Sequence, residues 1–267
     1  MELFKYIILG LTQGITEPLP ISSSGHLLIF KKLLKSSMIN DLNFEIFLNF
    51  GSLIAIIFLF RKDITIIIKD FFLFIKTKKE KYYSNFKYAL LIIIGTIPAG
   101  LIGFLFKDVI ERVFSNVKFV GVSLLVTSLF LFSIRNIKGS KKDEDISFID
   151  SLFIGLFQAV ALLPGISRSG STIVGGSLNN LSRESALKFS FLLYIPISLA
   201  TMLLGILDFS ASSNFNNLIM FYIIGTLVSA VATYFSAKLF IDIVKKGKLI
   251  YFVYYCLFAG IMVILFV

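Results

Sequence analysis

The chain is short of the residues that most site chemistry relies on: it has one cysteine, one histidine and few charges. Charged residues make up 16% of its 267 positions, against about 25% in an ordinary soluble domain. The single cysteine, Cys256, excludes an intrachain disulfide and a cysteine-rich metal site. One histidine beside one cysteine is too few for a zinc centre. The N-terminal apolar stretch has neither a basic leader nor a small-residue cleavage site, so insertion without processing is expected.

What fills the chain instead is apolar. Hydrophobic residues are 57% of it, and the mean hydropathy is +0.89. Six long runs recur: Ile46 to Phe60, Tyr88 to Phe106, Phe119 to Ile134, Phe189 to Leu207, Leu218 to Phe240 and Leu249 to Val267. Each is close to the roughly 17–25 residues that carry a helix across a bilayer. A soluble core has no use for six such runs. The fold class expected is an all-α polytopic membrane protein, with residues 1–267 forming one membrane domain.

The net charge is +10. A basic chain can bind nucleic acid, but here the lysines and arginines lie between apolar runs, where they set topology. Arg61 to Lys87 carries eight basic residues, Arg135 to Lys142 four and Lys238 to Lys248 four, whereas Asp208 to Asn217 has none. The three basic segments are expected on the cytoplasmic side, both termini outside, and nucleic acid is not expected as a partner. Lys31, Lys32 and Lys35 then fall on the outer side, an exception to the positive-inside pattern. Asp41 is expected at the membrane interface, and Glu45 either there or at a cavity mouth.

The chain repeats itself. Gly10 to Gly25, GLTQGITEPLPISSSG, aligns without a gap on Gly155 to Gly170, GLFQAVALLPGISRSG, at an offset of 145 with seven of sixteen positions identical. Repeat one covers about 1–140 and repeat two about 146–267. Three apolar runs follow each copy. An odd number of crossings between the copies inverts the second against the first, which is the inverted-topology repeat of many transporter folds. The repeated stretches themselves are too short to span. Leu3 to Thr16 is broken by Glu17, Pro18 and Pro20, and Phe148 to Leu163 ends at Pro164–Gly165. Proline does not continue a helix interior, and irregular backbone at membrane depth must be buried in protein or line a cavity. Each half is therefore expected to hold one re-entrant helical hairpin and three transmembrane helices, with the two hairpin tips meeting near the midplane.

Both tips are serine-rich. Ser22, Ser23, Ser24 and Gly25 precede one returning helix; Ser167, Arg168, Ser169, Gly170, Ser171 and Thr172 open the other. Serine is a favoured N-cap, and helix N-termini turned to the centre make an anion site. Arg168 adds a fork suited to phosphate. The plainer reading is that the serines only cap. Glu17 is an acid at membrane depth, where ionisable groups are costly and usually functional. Gln13 stands one turn before it on the same face, and the two oxygen-bearing side chains suit a hard divalent cation. The alternative is that Glu17 simply pairs with Arg168. His26 could move a proton, accept a phosphoryl group, or only hold a neighbour in place. A ligand for the whole set has a phosphate head and an apolar tail.

At these residues the chain resembles the bacterial undecaprenyl-diphosphatase family, integral-membrane enzymes linked to bacitracin resistance. The family motifs are an (E/Q)xxxE stretch, a serine-rich turn with a histidine, and PGxSRSxxT. Here they read Gln13 to Glu17, Pro20 to His26 and Pro164 to Thr172. The resemblance spans essentially the whole chain. It implies hydrolysis of undecaprenyl diphosphate to undecaprenyl phosphate, recycling the lipid carrier of cell-wall synthesis, with a divalent cation (Mg2+ or Ca2+). It also implies a multi-pass protein of the bacterial plasma membrane, with its site toward the outer face. Carried onto this sequence, Glu17, Ser23, His26 and Arg168 are the catalytic set. Ser22, Ser24, Gly165, Ser167, Ser169 and Thr172 bind substrate. Glu17, with Gln13 as a weaker neutral partner, meets the metal. Ser23 and His26 are the expected pair for the chemical step, with the nucleophile left open between them. The implied partners are the polyprenyl diphosphate lipid and the bilayer, and a homodimer also stays open. A transporter that flips a polyprenyl phosphate is the competing reading, with Glu17 and His26 as proton-coupling groups.

Overall fold

The computed structural model describes residues 2–34, 42–106, 109, 117–209 and 215–266. Lys35, Asp41 and residues 210–214 lie outside the described residues, and with them the expectations attached to those positions. Among the described residues the regular elements are helices, apart from the single bridge between Lys141 and Leu181. In chain order they are α1 (Glu2–Thr16), α2 (Ser23–Leu33), α3 (Leu42–Leu59), α4 (Arg61–Thr77), α5 (Tyr83–Leu105), α6 (Val117–Ser133), α7 (Phe148–Val160), α8 (Arg168–Leu178), α9 (Arg183–Phe209), α10 (Phe215–Lys245) and α11 (Ile250–Phe266).

Among the described residues three helices are long and apolar enough to cross a membrane: Glu80–Leu105, Arg183–Leu203 and Leu218–Lys245. Six full spans are expected from the apolar runs. The other three runs fold into helices of 17 or 18 residues, α3, α6 and α11, at the lower edge of the roughly 17–25 residues a crossing takes. A second difference concerns Arg61 to Lys87, expected as a basic loop. Most of it is α4, which leaves α3 at a bend of 76°. Ile64, Ile67, Phe71 and Phe74 recur at helical spacing and turn inward, while Lys62, Lys69 and Lys76 are exposed. Phe71 and Phe74 meet Phe86 of α5 with ring centroids 5.2 and 4.6 Å apart. Asn85 adds a hydrogen bond to Asp70 at 2.6 Å.

Small residues set the helix spacing. A Cβ on Gly14 of α1 would lie 2.5 Å from the Ser229 carbonyl oxygen of α10, so the two backbones touch. Hydroxyls satisfy themselves across this seam and the neighbouring one between α10 and α3: Ser236 donates to the Gly14 carbonyl of α1 at 2.7 Å, Ser229 to the Leu48 carbonyl of α3 at 2.8 Å, and Ser52 of α3 lies 2.8 Å from Thr233. Close approach by small side chains with hydroxyls bonding across is the way helices associate in an apolar surround, where burial alone offers little drive. On the other side, Ser151 of α7 donates to the Leu91 carbonyl of α5 at 2.5 Å, and Ser128 of α6 to the Val253 carbonyl of α11 at 2.9 Å.

The basic segments gather at one end of the molecule. Lys188, at the start of α9, bridges Asp63 at 2.7 Å and Asp143 at 3.1 Å. Lys87 donates to the Glu144 carbonyl at 3.2 Å, and Lys245 pairs with Glu184 at 3.6 Å. The outlying Lys31 is no free charge: it is fully buried and paired with Glu45 at 2.5 Å. Two helical hairpins, α1–α2 and α7–α8, point their turns into the protein. The bridge from Lys141 to Leu181 closes the mouth of the second, and Lys141 also pairs with Asp150 at 2.9 Å. Its rising arm has 13 residues, so it reaches about 20 Å, short of the ~30 Å of a bilayer's hydrocarbon core.

Candidate active site

The first hairpin keeps its helical hydrogen bond to the last residue before the prolines, with the Glu17 amide donating to the Gln13 carbonyl at 2.8 Å. Gln13 and Glu17 therefore share a face, and Gln13 Nε2 donates to Glu17 Oε2 at 2.9 Å. Pro18 and Pro20 then force a turn. The chain re-enters a helix at Ser22, whose hydroxyl accepts from the Gly25 amide at 3.2 Å. The second hairpin is built alike. Ser167 caps α8 by accepting from the Gly170 amide at 3.1 Å. Gly165, with φ +82°, makes the turn before it, where a Cβ would lie 2.7 Å from Cβ of Ser123 and 2.9 Å from the Val120 carbonyl oxygen.

The tips meet on Glu17. Arg168 Nη2 pairs with Glu17 Oε1, and Ser23 Oγ donates to Glu17 Oε2. Ser169 donates to the Leu19 carbonyl at 3.1 Å, tying the second tip to the first turn. Both arms of the carboxylate are thus engaged, one from its own hairpin and one from the other, where Arg168 lies 151 residues from Glu17 along the chain. The ion pair is largely desolvated, with the two side chains 19% and 10% exposed. Such a pair holds only where the remaining donors and acceptors are also satisfied. One donor is left over: Arg168 Nη1 is buried without a partner.

Residues with no motif to mark them complete the site. Tyr194 of α9 carries the Arg168 guanidinium over its ring face at 3.7 Å, a cation–π seat worth about 2 kcal/mol when desolvated. The Tyr194 hydroxyl donates to Asn49 of α3, to the side-chain oxygen and to the backbone carbonyl at 3.1 Å. Tyr255 of α11 lies 2.6 Å from His26 Nε2. The only sequence signal for Asn49 is an amide inside an apolar run; Tyr194 and Tyr255 have none.

Of the residues expected at the site, Glu17, Ser23, Ser24 and Arg168 are partly exposed. Gln13, Ser22, His26, Ser167 and Ser169 are buried behind them. Three expectations change. Ser23 and His26 do not bond each other, because Ser23 is on Glu17 and both His26 ring nitrogens are engaged elsewhere, Nδ1 with the Ser22 carbonyl at 2.7 Å. Thr172, expected to face phosphate, is turned into the core: its hydroxyl donates to the Arg168 carbonyl at 3.0 Å and sits 2.6 Å from Ser190. Gly165 likewise packs against α6, its carbonyl accepting from Thr127 at 3.4 Å. Among the described residues no three acidic, histidine or cysteine side chains cluster as a ready metal site.

Helices of membrane-crossing length around a charged, hydroxyl-rich centre define a membrane protein with a polar site buried among its helices. Comparison with known proteins is specific. The family described as "Bacitracin resistance protein BacA" matches residues 6–262, and the chain belongs to that family. It is 46% identical over 264 residues to "Undecaprenyl-diphosphatase 2" of Bacillus thuringiensis, covering 99% of this chain and 97% of the relative. It is 45% identical over 267 residues to "Undecaprenyl-diphosphatase 1" of Bacillus licheniformis, covering 100% and 98%. The match to "Undecaprenyl-diphosphatase" of Oceanobacillus iheyensis is 41% over 263 residues, covering 98% and 95%.

Proposed function

We propose that this chain hydrolyses undecaprenyl diphosphate to undecaprenyl phosphate and inorganic phosphate, returning the lipid carrier to cell-wall polymer synthesis and conferring bacitracin resistance. The observation that carries the reading is Glu17 held between Arg168 and Ser23 where two hairpin tips meet. The family membership and the names of the relatives point the same way.

In this reading the terminal phosphate enters beside Arg168, whose unpartnered Nη1 supplies a donor. The α2 and α8 N-termini turn their positive ends toward it. Glu17 accepts the Ser23 hydroxyl proton as Ser23 Oγ forms a bond to the terminal phosphorus. The bond to the bridging oxygen breaks, and undecaprenyl phosphate leaves. Glu17 gives that proton to the departing undecaprenyl phosphate, takes one from the water that attacks the phosphoserine, and returns it to Ser23 Oγ as the P–Oγ bond breaks and inorganic phosphate leaves. Arg168 balances the charge on the equatorial oxygens, which is where phosphoryl transfer needs it most. Gln13 keeps Glu17 on the right face.

The donor chemistry fits a divalent cation, Mg2+ or Ca2+, shared with substrate: one carboxylate and nearby hydroxyl oxygens are hard ligands, and such ions commonly take one or two carboxylates with the rest from phosphate. Glu17 would hold it, with Gln13 behind, and when bound it would neutralise diphosphate charge.

The wider reading is an inverted repeat in the bacterial plasma membrane, with two re-entrant hairpins and the site open to the outer face. The pairing of helices supports it. α1 lies along α10 as α7 lies along α5, α3 along α10 as α9 along α5, and α6 along α11. The gathered basic segments support a cytoplasmic assignment for that end. The test is phosphate release from a polyprenyl diphosphate by purified protein in detergent, with magnesium or calcium and with EDTA. Release that needs the metal and is abolished by Arg168→Ala is expected. Folded protein that binds the lipid and releases nothing overturns the reading in favour of transport.

A further inference from the structure

Ser22 is one of three described non-glycine residues with positive φ, at φ 69° and ψ 100°. That conformation is costly for a residue with a Cβ and persists where the surroundings over-determine it. Capping does not demand it. Ser167, its counterpart at the repeat offset of 145, makes the same cap with φ −74° and ψ 122°. The two caps have nearly equal lengths, 3.2 and 3.1 Å. Two neighbours bear on the difference: Pro20, whose ring bars positive φ, stands where the second hairpin has Gly165 at φ +82°, and the residue four further on is His26 in the first hairpin and Ser171 in the second.

His26 holds the strained turn in place. Its Nδ1 lies 2.7 Å from the Ser22 carbonyl. A carbonyl only accepts, so Nδ1 carries the proton. In the neutral ring Nε2 is then an acceptor, and the group facing it is the Tyr255 hydroxyl at 2.6 Å. The two rings are nearly parallel, at 17°. Tyr255 thus fixes tautomer and ring angle, and the ring fixes the peptide that leads into Ser23. That peptide aims Ser23 Oγ at Glu17.

We infer that Tyr255, His26 and Ser22 form a clamp whose task is to hold Ser23 on Glu17, so that His26 and Tyr255 are positioning residues rather than the base of the reaction. The inference rests on the hydrolase reading. It adds a residue from α11, at the far end of the sequence, to the machinery.

The chain has one histidine, so a protein labelled with 15N-histidine gives a single pair of ring-nitrogen signals. The clamp requires Nδ1–H with an unprotonated, hydrogen-bonded Nε2 in the wild type, and a shift of the Nε2 signal in Tyr255→Phe. In turnover of a polyprenyl diphosphate, Tyr255→Phe should lower kcat roughly tenfold, as loss of one buried hydrogen bond implies, with KM unchanged. His26→Asn keeps a donor near the Nδ1 position and has no base. It should retain at least tenfold more activity than His26→Ala, and Tyr255→Phe should add nothing to it. An Nε2–H tautomer in the wild type, Tyr255→Phe with full kcat, or His26→Asn as inactive as His26→Ala each overturns the clamp. A wild type that hydrolyses nothing defeats the hydrolase reading and the positioning role with it. The ring-nitrogen signals need no turnover, so they decide the His26–Tyr255 contact on their own and keep the two failures distinct.

Discussion

Replacing Glu17 by glutamine removes one negative charge and almost no volume. In the folded protein Glu17 accepts from Gln13, Ser23 and Arg168. The amide that replaces the carboxylate offers one oxygen to those three donors and adds a nitrogen that accepts nothing. The charge-assisted bonds become neutral ones, roughly half as strong, and Arg168 keeps its seat on Tyr194. The larger effect is chemical, since an amide cannot take the Ser23 proton. General-base assistance contributes about 10²–10⁴ in rate, which is about 3–5 kcal/mol of barrier. Glu17→Gln should therefore lose at least that factor in kcat, with weaker hold on the metal adding to the loss, while Arg168 still meets the phosphate. The assay is inorganic phosphate release in detergent, with thermal unfolding of the same preparation to show that the fold survives. Glu2→Gln is the control, since Glu2 only pairs with Lys5 at the exposed start of α1 and should leave the rate unchanged. Folded Glu17→Gln with more than about a tenth of wild-type kcat would refute Glu17 as the proton acceptor.

Arg168→Lys keeps a charge beside Glu17 but loses the planar fork and the stacked seat on Tyr194. kcat/KM for a polyprenyl diphosphate should fall by about 10–100-fold, the worth of a charge-assisted hydrogen bond. Lys31→Met leaves Glu45, 32% exposed, without its cation and should cost about 1–2 kcal/mol, read as a lower unfolding temperature in detergent. Adding Glu45→Met should recover most of that loss, and a double variant no more stable than Lys31→Met shows that the pair is not what Lys31 contributes. Gly14→Leu forces α1 off α10, where a Cβ alone meets the Ser229 carbonyl at 2.5 Å. It should fail to give a monodisperse protein by size-exclusion chromatography, and a well-folded Gly14→Leu contradicts the close packing of that seam.

Hydropathy and punctuation in the sequence by themselves determined where most helices lie. Apolar runs make α3, α5, α6, α9, α10 and α11, because a backbone in an apolar surround must bond to itself. Pro18, Pro20 and Pro164 end the rising arms of the hairpins, and Ser22 and Ser167 begin the returning ones, since both effects are local. The repeat at offset 145 and the motifs named Glu17, Ser23 and Arg168 as site residues. α4 was hidden by its lysines, although Ile64, Ile67, Phe71 and Phe74 carry a helical stripe that a periodicity count registers. The tertiary structure alone decided partners and facing. It gave Ser23 to Glu17 rather than to His26, turned Thr172 into the core and seated Arg168 on Tyr194. It also set Tyr255 against His26, 229 residues apart. A tyrosine in an apolar run is ordinary until packing brings it within hydrogen-bond reach of something. That reach is a property of how helices approach in space, and local sequence pattern carries no trace of it.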